Sequence, residues 1–439
     1  MNKKLVADPQ TYAHHCSCGQ PHPSADARWY CGDDATDVLA ADLKAHLGKG
    51  SALVLADANT HAAAGRVVAA QLEARRVRHA LLILSGDVSA TEETARQVRE
   101  GASEHDLIVA VGAGTINDLG KFAAAGQDRP YWVFPTAPSM NGFTSAIAAV
   151  KVDGVKRTLP APPPRVIYVD PAVIAHAPRE LLQSGYCDVM AKSVSDIDWQ
   201  IESLLFSGSY CGLPSALVAA TERTYLDGPE KLSTGDRATA MALLEGLLVS
   251  GTAMSLAGSS APASGGEHLF SHFLDMREAI SGRNPELHGL QVAAGIIVSA
   301  ACYRRLSSLD ASVLKRRAKA LCRKEVKRLP GIWEGLAAEV EKRFTRKKDA
   351  LLLLDERLPE KWTAVRSLCR QVQTPEYYRD RMRRTGFALT LTALNLSVEE
   401  FLLAATTARA IRERITVLDI AAQAGVLETA AADALDLLR

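Results

Sequence analysis

The sequence lacks the features of several classes of protein. Lys and Arg (51) nearly equal Asp and Glu (50), and no strongly basic domain stands out, so a nucleic-acid partner is not expected. We find no run of about 18 apolar residues that would span a bilayer. The N-terminal residues 1–19 contain no apolar stretch typical of a signal peptide. We therefore expect a cytoplasmic protein with no membrane partner.

Cysteine is also scarce. The eight cysteines are scattered over 439 residues, which is not the density of a disulfide scaffold, and we expect them to be mostly reduced. Near the N-terminus, metal-friendly side chains come close together in the sequence: His14, His15, Cys16, Cys18 and His22. A CxC pair followed by a single nearby His matches no strong zinc spacing. A terminus without metal and a structural or adventitious metal site both stay open.

The sequence does carry the alternation of a parallel α/β fold. Short apolar segments alternate with longer amphipathic ones from about residue 50 to 170. The predicted strands are 52–57, 79–84, 107–111, 131–135 and 165–170. Crossover helices are predicted over 60–75 and 91–103, each beginning with a Thr that can cap it.

After Pro171 the strand signals nearly disappear, and the chain becomes rich in Ala and Leu with helical periodicity. The sequence therefore predicts three parts. An N-terminal extension (1–28) precedes an α/β nucleotide-binding domain with a parallel sheet (29–170), and an all-α domain follows (171–439).

A glycine turn follows the third predicted strand. Gly112 and Gly114 let backbone N–H groups approach a diphosphate, and the start of the next helix favours negative charge. With Thr115, Asn117 and Asp118, this segment is the candidate diphosphate site of a nucleotide cofactor. Its pattern is GxGxxxD and not the GxGxxG fingerprint, so a plain βα turn is the alternative.

Polar side chains end two further strands. Asp57 is placed to accept a hydrogen bond from a ribose 2′-OH and to repel a 2′-phosphate, which favours NAD over NADP. The alternative is that Asp57 only begins the turn or caps the next helix. In the loop 135–145, Thr136, Ser139 and Ser145 are suited to a polar ligand, unless this is an ordinary Pro/Gly loop.

The helical half carries a carboxylate, a lysine and three histidines. Asp188 and Lys192 are four residues apart and share a helix face, as do His268 and His272. One carboxylate and two imidazoles from Asp188, His268 and His288 make a reasonable three-ligand set, which leaves a fourth position for substrate or water. A single His is more often a satisfied polar residue than a ligand, so the prediction depends on the whole group.

Five segments occur in the order seen in a known family: GAGTINDLGK (112–121), PTAPSMNGFTS (135–145), GYCDVMAKSVSDIDW (185–199), SGGEHLFSH (264–272) and LHGLQVAAG (287–295). Together they resemble the iron-containing alcohol dehydrogenase and dehydroquinate synthase superfamily. Within it, they resemble the bacterial sn-glycerol-1-phosphate dehydrogenases most. The likeness extends over roughly residues 29–430 and is more specific than any single motif.

The resemblance implies a dehydroquinate synthase-like fold with an NAD(P)-binding α/β domain and a helical domain that binds metal and substrate. It places the metal ligands on Asp188, His268 and His288, with zinc first and nickel or iron as alternatives. Dehydroquinate synthases carry Glu at the first of these positions, so Asp188 favours a dehydrogenase. Lys192 stands where many iron alcohol dehydrogenases have a further His. A homodimer or larger assembly is also implied.

The implied reaction interconverts dihydroxyacetone phosphate and sn-glycerol 1-phosphate by hydride transfer with NAD or NADP. His272 is the candidate for relaying a proton, and Lys192 is a second candidate or a contact to the substrate phosphate. Asn141 departs from the Asp that relatives usually carry, and an amide cannot act as a base. The alternatives are a dehydrogenase of an unphosphorylated polyol, a dehydroquinate synthase-like cyclase and an inactive binding protein.

Overall fold

The computed structural model describes residues 16, 18, 19, 22 and 27–439, except 154 and 283–285. The chain divides into two compact units. Unit 1 comprises Met1–Val189 and Leu213–Ser259, and unit 2 comprises Met190–Gly212 and Ser260–Arg439. His14 and His15 lie outside the described residues. Each unit is described by itself below.

Unit 1 is built on a six-stranded sheet with the order β1-β8-β5-β4-β2-β3. Every neighbouring pair in it is parallel. A separate antiparallel hairpin pairs β6 with β7. The strands are β1 (Arg28–Cys31), β2 (Ser51–Asp57), β3 (Arg78–Leu84), β4 (Leu107–Gly112), β5 (Tyr131–Pro135), β6 (Ile147–Val152), β7 (Val155–Pro160) and β8 (Val166–Val169). All five predicted strands are confirmed, whereas β1 and the hairpin were not predicted.

The helices are given in chain order: α1 (Ala35–Leu47), α2 (Arg66–Ala74), α3 (Glu92–Gly101), α4 (Gly114–Ala125), α5 (Pro171–Ala175), α6 (Arg179–Met190), α7 (Lys192–Phe206), α8 (Gly212–Leu226), α9 (Arg237–Ala257), α10 (Gly266–Ser281), α11 (His288–Ser308), α12 (Ala318–Trp333), α13 (Ala337–Cys369), α14 (Pro375–Arg384), α15 (Val398–Thr407), α16 (Val417–Ala424) and α17 (Leu427–Leu438). An α-helical turn (Ala58–Thr60) and a π-helical turn (His61–Gly65) lead into α2. Short 3₁₀ turns cover Pro229–Thr234, Ala261–Ala263, Ala311–Val313, Glu334–Leu336 and Ala408–Ala410.

Helices cover both faces of the sheet in unit 1. Apolar side chains of α1 and α2 form one buried cluster with Val109 of β4 and Phe134 of β5. The helix α4 lies close to Ala110 of β4, and neighbouring residues of a strand point to opposite faces. Strands buried on both faces are continuously apolar, which is why the sequence identifies them.

The helix α9 corrects one expectation. By length and composition alone its 21 residues could cross a membrane, whereas we predicted no such segment. Of its most apolar window, 78% is buried inside the structure. A helix that is apolar on all sides is typical of a protein core as well as of a membrane, and packing accounts for the composition here.

The described residues of unit 2 form helices joined by loops, and none of them lies in a strand. Its centre is α11, which is buried along most of its length and packs against α10, α14, α16 and α17. The parallel sheet of unit 1 and the helical unit 2 together confirm the predicted fold class. What matters for function is that α10 and α11 carry the three predicted histidines.

Candidate active site

Three neighbouring strands of unit 1 end at the same edge of the sheet. Their last residues are Asp57 of β2, Gly112 of β4 and Pro135 of β5. The chain leaves β2 toward β3 on one side and later adds β4 and β5 on the other, so the strand order reverses between β2 and β4. Ligands of open α/β sheets bind outside the carboxyl ends of the strands at such a point. The predicted cofactor segment begins there.

Asp57 caps the helical turn that follows β2. Its carboxylate accepts a hydrogen bond from the Thr60 backbone N–H at 2.8 Å, and the Thr60 hydroxyl accepts from the Asp57 N–H at 3.0 Å. Asp57 therefore has the helix-capping role that the sequence predicted as the alternative to ribose binding. The cap fixes the half-buried carboxylate at the end of β2, and a contact to a ribose remains a prediction.

The glycine turn after β4 is tightly packed. A Cβ at Gly112 would lie 2.5 Å from the Cβ of Ile116, so the approach of strand and helix itself requires glycine. The buried Asn117 accepts from the Tyr131 hydroxyl at 3.0 Å. Gly114 and Thr115 are half-buried at the start of α4, and the Gly114 N–H donates to Ser139 Oγ at 3.4 Å.

Asp118 faces the β6–β7 hairpin. Its carboxylate accepts from the Asn117 side-chain amide at 3.1 Å and from the Ala149 N–H at 3.3 Å. Burial raises the pKa of Asp118 to about 6, although the charge of Lys121 opposes that shift. Asp118 therefore has clear structural partners, and any contact to a cofactor remains a prediction.

The loop 135–145 is held in place by a buried lysine that sequence reasoning did not single out. Lys121 Nζ donates to the carbonyl oxygens of Ser145 at 2.9 Å and Ile147 at 3.1 Å. The Ser255 hydroxyl of α9 donates to the Thr144 carbonyl at 3.0 Å. Thr136 and Ser139 are both buried. Most polar groups of this loop therefore serve to fix its shape.

Asn141 lies in this loop and binds the predicted metal ligand Asp188. Its backbone N–H donates to Asp188 Oδ2 at 2.8 Å, and its side-chain amide donates to Oδ1 at 3.0 Å. Asp188 is completely buried. Both carboxylate oxygens of Asp188 are therefore oriented by Asn141. Carboxylates that bind metals are usually held by hydrogen bonds.

The three predicted histidines lie together in unit 2. The ring centres of His268 and His288 are 5.3 Å apart, and that of His272 lies 6.3 Å from His268 and 5.7 Å from His288. One ring nitrogen of His268 and one of His288 lie within 4.8 Å of each other. The predicted imidazole ligands are thus brought together by α10 and the start of α11.

Hydrogen bonds determine which ring nitrogen carries the proton in His268 and in His288. His268 Nδ1 lies 2.8 Å from the Glu267 carboxylate, which can only accept. His288 Nδ1 lies 2.9 Å from Ser271 Oγ, whose own proton goes to Gln291 Oε1 at 3.1 Å. Each neutral ring therefore carries its proton on Nδ1 and its lone pair on Nε2.

The start of α10 depends on Asp198. This residue lies in the segment 185–199, and the sequence predicted no role for it. Its carboxylate accepts from the backbone N–H groups of Gly266 at 2.7 Å and Val417 at 2.6 Å, and from the Tyr303 hydroxyl at 2.6 Å. Burial and the neighbouring charge of Glu267 raise the pKa of Asp198 to about 7. Asp198 thereby holds the segment that carries His268.

In unit 2, His272 has an arginine as a hydrogen-bond partner, and Lys192 has a backbone carbonyl. Arg412 donates to His272 Nε2 at 3.1 Å. Burial, together with the charges of Arg414 and Arg343, lowers the pKa of Arg412 to about 10. The buried Lys192 donates to the Ala263 carbonyl at 3.0 Å. Arg412 is a further candidate residue that the sequence did not single out, and it begins the segment RERITVLDIA (412–421).

Comparison with known proteins supports this description. Residues 30–178 match the model of the iron-containing alcohol dehydrogenase family. The glycerol-1-phosphate dehydrogenase [NAD(P)+] of Geobacillus stearothermophilus is 30% identical over 390 residues, which cover 88% of this chain and 89% of that protein. The enzyme of the same name from Bacillus licheniformis is 33% identical over 321 residues, covering 72% and 79%.

Solved structures show the same fold. Glycerol dehydrogenase from Schizosaccharomyces pombe has a TM-score of 0.58 at 16% identity and covers 93% of this chain and 90% of its own. NADH-dependent butanol dehydrogenase A from Thermotoga maritima has a TM-score of 0.56 at 15% identity and covers 94% and 97%. The chain therefore belongs to the iron-containing alcohol dehydrogenase family, and within it to the group of the glycerol-1-phosphate dehydrogenases.

Proposed function

We propose that this protein is a metal-dependent, NAD(P)-linked dehydrogenase that interconverts dihydroxyacetone phosphate and sn-glycerol 1-phosphate. The observation that carries the proposal is the histidine cluster of α10 and α11, in which each of two neighbouring imidazoles has its proton fixed on Nδ1. Family membership supplies the reaction class.

The donor set fits one divalent metal bound by Asp188, His268 and His288. These residues offer one carboxylate oxygen and two imidazole nitrogens, a set suited to zinc and also to nickel or iron. His268 donates to a carboxylate, and Asp188 accepts from an amide, as metal ligands usually do. A bound cation would polarise the substrate carbonyl and stabilise the negative charge that develops on its oxygen.

Chain connectivity supports the choice of Asp188. It lies on α6 two residues before Met190, where the first segment of unit 2 begins, and one residue separates α6 from α7. Lys192, the first residue of α7, follows four residues later. We assign Asp188 as the third ligand because its buried carboxylate is held by two hydrogen bonds from Asn141.

The residues around His272 favour an anionic substrate. Arg412 is half-buried beside His272, and burial, together with the charges of Arg414 and Arg343, lowers its pKa. A cationic group partly removed from water is stabilised by an anion such as a phosphate. We assign Arg412 and Lys192 as candidate contacts to the substrate phosphate.

His272 is the proposed proton relay. Because Arg412 can only donate, His272 Nε2 accepts from it and the ring proton lies on Nδ1. In reduction, His272 would first take up H⁺ from solvent at Nε2, in place of the hydrogen bond from Arg412, and would then release its Nδ1 proton to the developing alkoxide. The ring ends neutral, one solvent proton is consumed for each hydride transferred, and proton exchange with solvent restores the starting tautomer.

The cofactor would lie at the carboxyl edge of the sheet, where it supplies or accepts the hydride. We assign Gly112, Gly114, Thr115, Asn117 and Asp118 to the diphosphate region. Asp57 is assigned to the ribose, and Thr136, Ser139 and Ser145 to the loop that borders it. These residues end or follow adjacent strands, as in other dinucleotide sites.

Three further assignments remain proposals. We place the protein in the cytoplasm and expect a homodimer or larger assembly. We also retain the division into an extension (1–28), a cofactor domain (29–170) and a helical metal- and substrate-binding domain (171–439), which follows composition.

The function can be tested with a pair of histidine variants of the full chain. After reconstitution with zinc, the His268→Ala variant should lose one equivalent of metal relative to the wild type, together with NADH-dependent reduction of dihydroxyacetone phosphate. The His272→Gln variant should retain the metal and lose roughly 10²-fold to 10⁴-fold in rate, the usual contribution of acid–base catalysis. If the His268→Ala variant retained all its metal, the ligand assignment would be wrong.

A further inference from the structure

We infer that the protein has a second metal site, a structural zinc site whose ligands include Cys16, Cys18 and His22 near the N-terminus. The sulfur atoms of Cys16 and Cys18 and a ring nitrogen of His22 lie within 4.8 Å of one another. Thiolates and imidazole nitrogens are the usual ligands of structural zinc sites.

The hydrogen bonds of His22 orient its ring as a ligand. Nδ1 lies 2.8 Å from the Leu256 carbonyl oxygen at the end of α9. A carbonyl only accepts, so Nδ1 carries the proton and Nε2 carries the lone pair. Metal-bound histidines commonly donate their other ring N–H to a backbone carbonyl in this way.

The spacing of the donor atoms agrees with one shared ion. His22 Nε2 lies 3.2 Å from Cys18 Sγ. With bonds of about 2.3 Å to sulfur and about 2.0 Å to nitrogen, a tetrahedral zinc holds such atoms about 3.5 Å apart. Gly19, which follows Cys18, has a φ of 73°, a left-handed conformation that glycine adopts without strain.

The chemistry of the cluster favours zinc over a disulfide. Cys16 and Cys18 are free cysteines, and their sulfur atoms lie beside an imidazole nitrogen. Thiolate and imidazole ligands together select zinc over hard cations such as magnesium and calcium. Such an ion would fix Cys16, Cys18 and His22 near the end of α9, where His22 contacts Leu256.

The proposed zinc site can be distinguished by spectroscopy from the catalytic metal site, because the catalytic ligands Asp188, His268 and His288 include no thiolate. We would replace zinc by Co²⁺ in the full-length protein and record its absorption. Thiolate-to-cobalt charge transfer in the near-ultraviolet is expected in the wild type and in the His268→Ala variant. It should be lost in the Cys16→Ser/Cys18→Ser variant. The matched control Cys31→Ser alters a half-buried cysteine outside the set and should retain the band.

A second measurement needs no variant. Zinc should protect Cys16 and Cys18 from alkylation by iodoacetamide, and removal of zinc by a chelator should expose them together, as read by peptide mass spectrometry. Absence of the charge-transfer band from the wild type would overturn the inference. So would its persistence in the double Cys variant, or equal labelling of these thiols with and without zinc. Loss of dehydrogenase activity bears only on the catalytic site.

Discussion

Asn141 donates two hydrogen bonds to the buried carboxylate of Asp188, one from its backbone nitrogen and one from its side-chain amide. The residue that departs from the usual pattern of relatives thus contacts a proposed metal ligand. An aspartate at this position would replace the donating amide by a second carboxylate beside Asp188.

The first prediction concerns the Asn141→Asp variant. If residue 141 only orients a ligand, the rate on dihydroxyacetone phosphate should change by no more than about tenfold, or about 1.4 kcal/mol. The metal-free variant should unfold more easily than the metal-free wild type at neutral pH, because two buried carboxylates repel each other. Added zinc should close that gap. Paired kinetics and thermal unfolding would check both statements.

The contrary result would be informative. A gain from Asn141→Asp well beyond tenfold on dihydroxyacetone phosphate or glycerol 1-phosphate would show that a carboxylate is needed there. The physiological substrate of the natural protein would then differ from that of its relatives.

Glu267 is expected to tune metal affinity through His268. Glu267→Gln preserves an acceptor for His268 Nδ1 but removes the negative charge that strengthens the ligand. Loss of such a partner typically weakens metal binding by about 10-fold to 100-fold, and zinc competition with a chromogenic chelator would measure it. The exposed Glu100 of α3, which pairs with Arg96, offers the control Glu100→Gln. Equal zinc affinity of Glu267→Gln and this control would remove Glu267 from the site.

Asp57 should make NADH the preferred cofactor over NADPH. Replacement by Ser keeps a side chain able to cap the turn at Thr60 and removes the charge that repels a 2′-phosphate. We expect Asp57→Ser to narrow the ratio of kcat/KM values for the two cofactors with little loss of thermal stability. The Asp57→Ala variant, which also loses the cap, separates the two roles. Equal use of NADH and NADPH by the wild type would contradict the assignment.

Asp118 should make stability depend on pH. Its pKa is raised from 3.8 to about 6 in the folded protein, so the folded chain binds a proton that the unfolded chain releases between these values. Stability from this group is therefore lost as the pH rises through about 6. The Asp118→Asn variant has no carboxyl group at residue 118, so its stability does not fall with pH in this way. Relative to the wild type, its free energy of unfolding should increase by about 1.4 kcal/mol between pH 5 and pH 7.5, measured with urea. An unchanged difference would contradict the shift.

Much of the fold could be predicted because its strands are buried on both faces. The segment Leu107–Gly112 is apolar throughout and buried at every position, which is a strong local signal. In contrast, β1 has only four residues with one exposed, and its pairing with β8 joins distant parts of the chain. The sequence has Asp153 and Gly154 between β6 and β7, a pair typical of two-residue hairpin turns, and our prediction missed this signal.

The site could be predicted only in part. Ligand candidates were visible because His, Asp and Lys recur at helical spacings, and the structure brings His268, His272 and His288 together. Partners such as Asp198 and Arg412 lie 68 and 140 residues from the groups they bind. No local spacing predicts such contacts, since they depend on how helices pack.

The central claim is that the protein acts on a phosphorylated three-carbon substrate. Its most direct test is a steady-state comparison of dihydroxyacetone phosphate with dihydroxyacetone, using NADH and NADPH after metal reconstitution. We predict a kcat/KM for dihydroxyacetone phosphate at least about 100-fold higher, since a phosphate bound by cationic groups contributes about 3 kcal/mol or more. Equal or better reduction of dihydroxyacetone would contradict the claim and identify a dehydrogenase of unphosphorylated polyols.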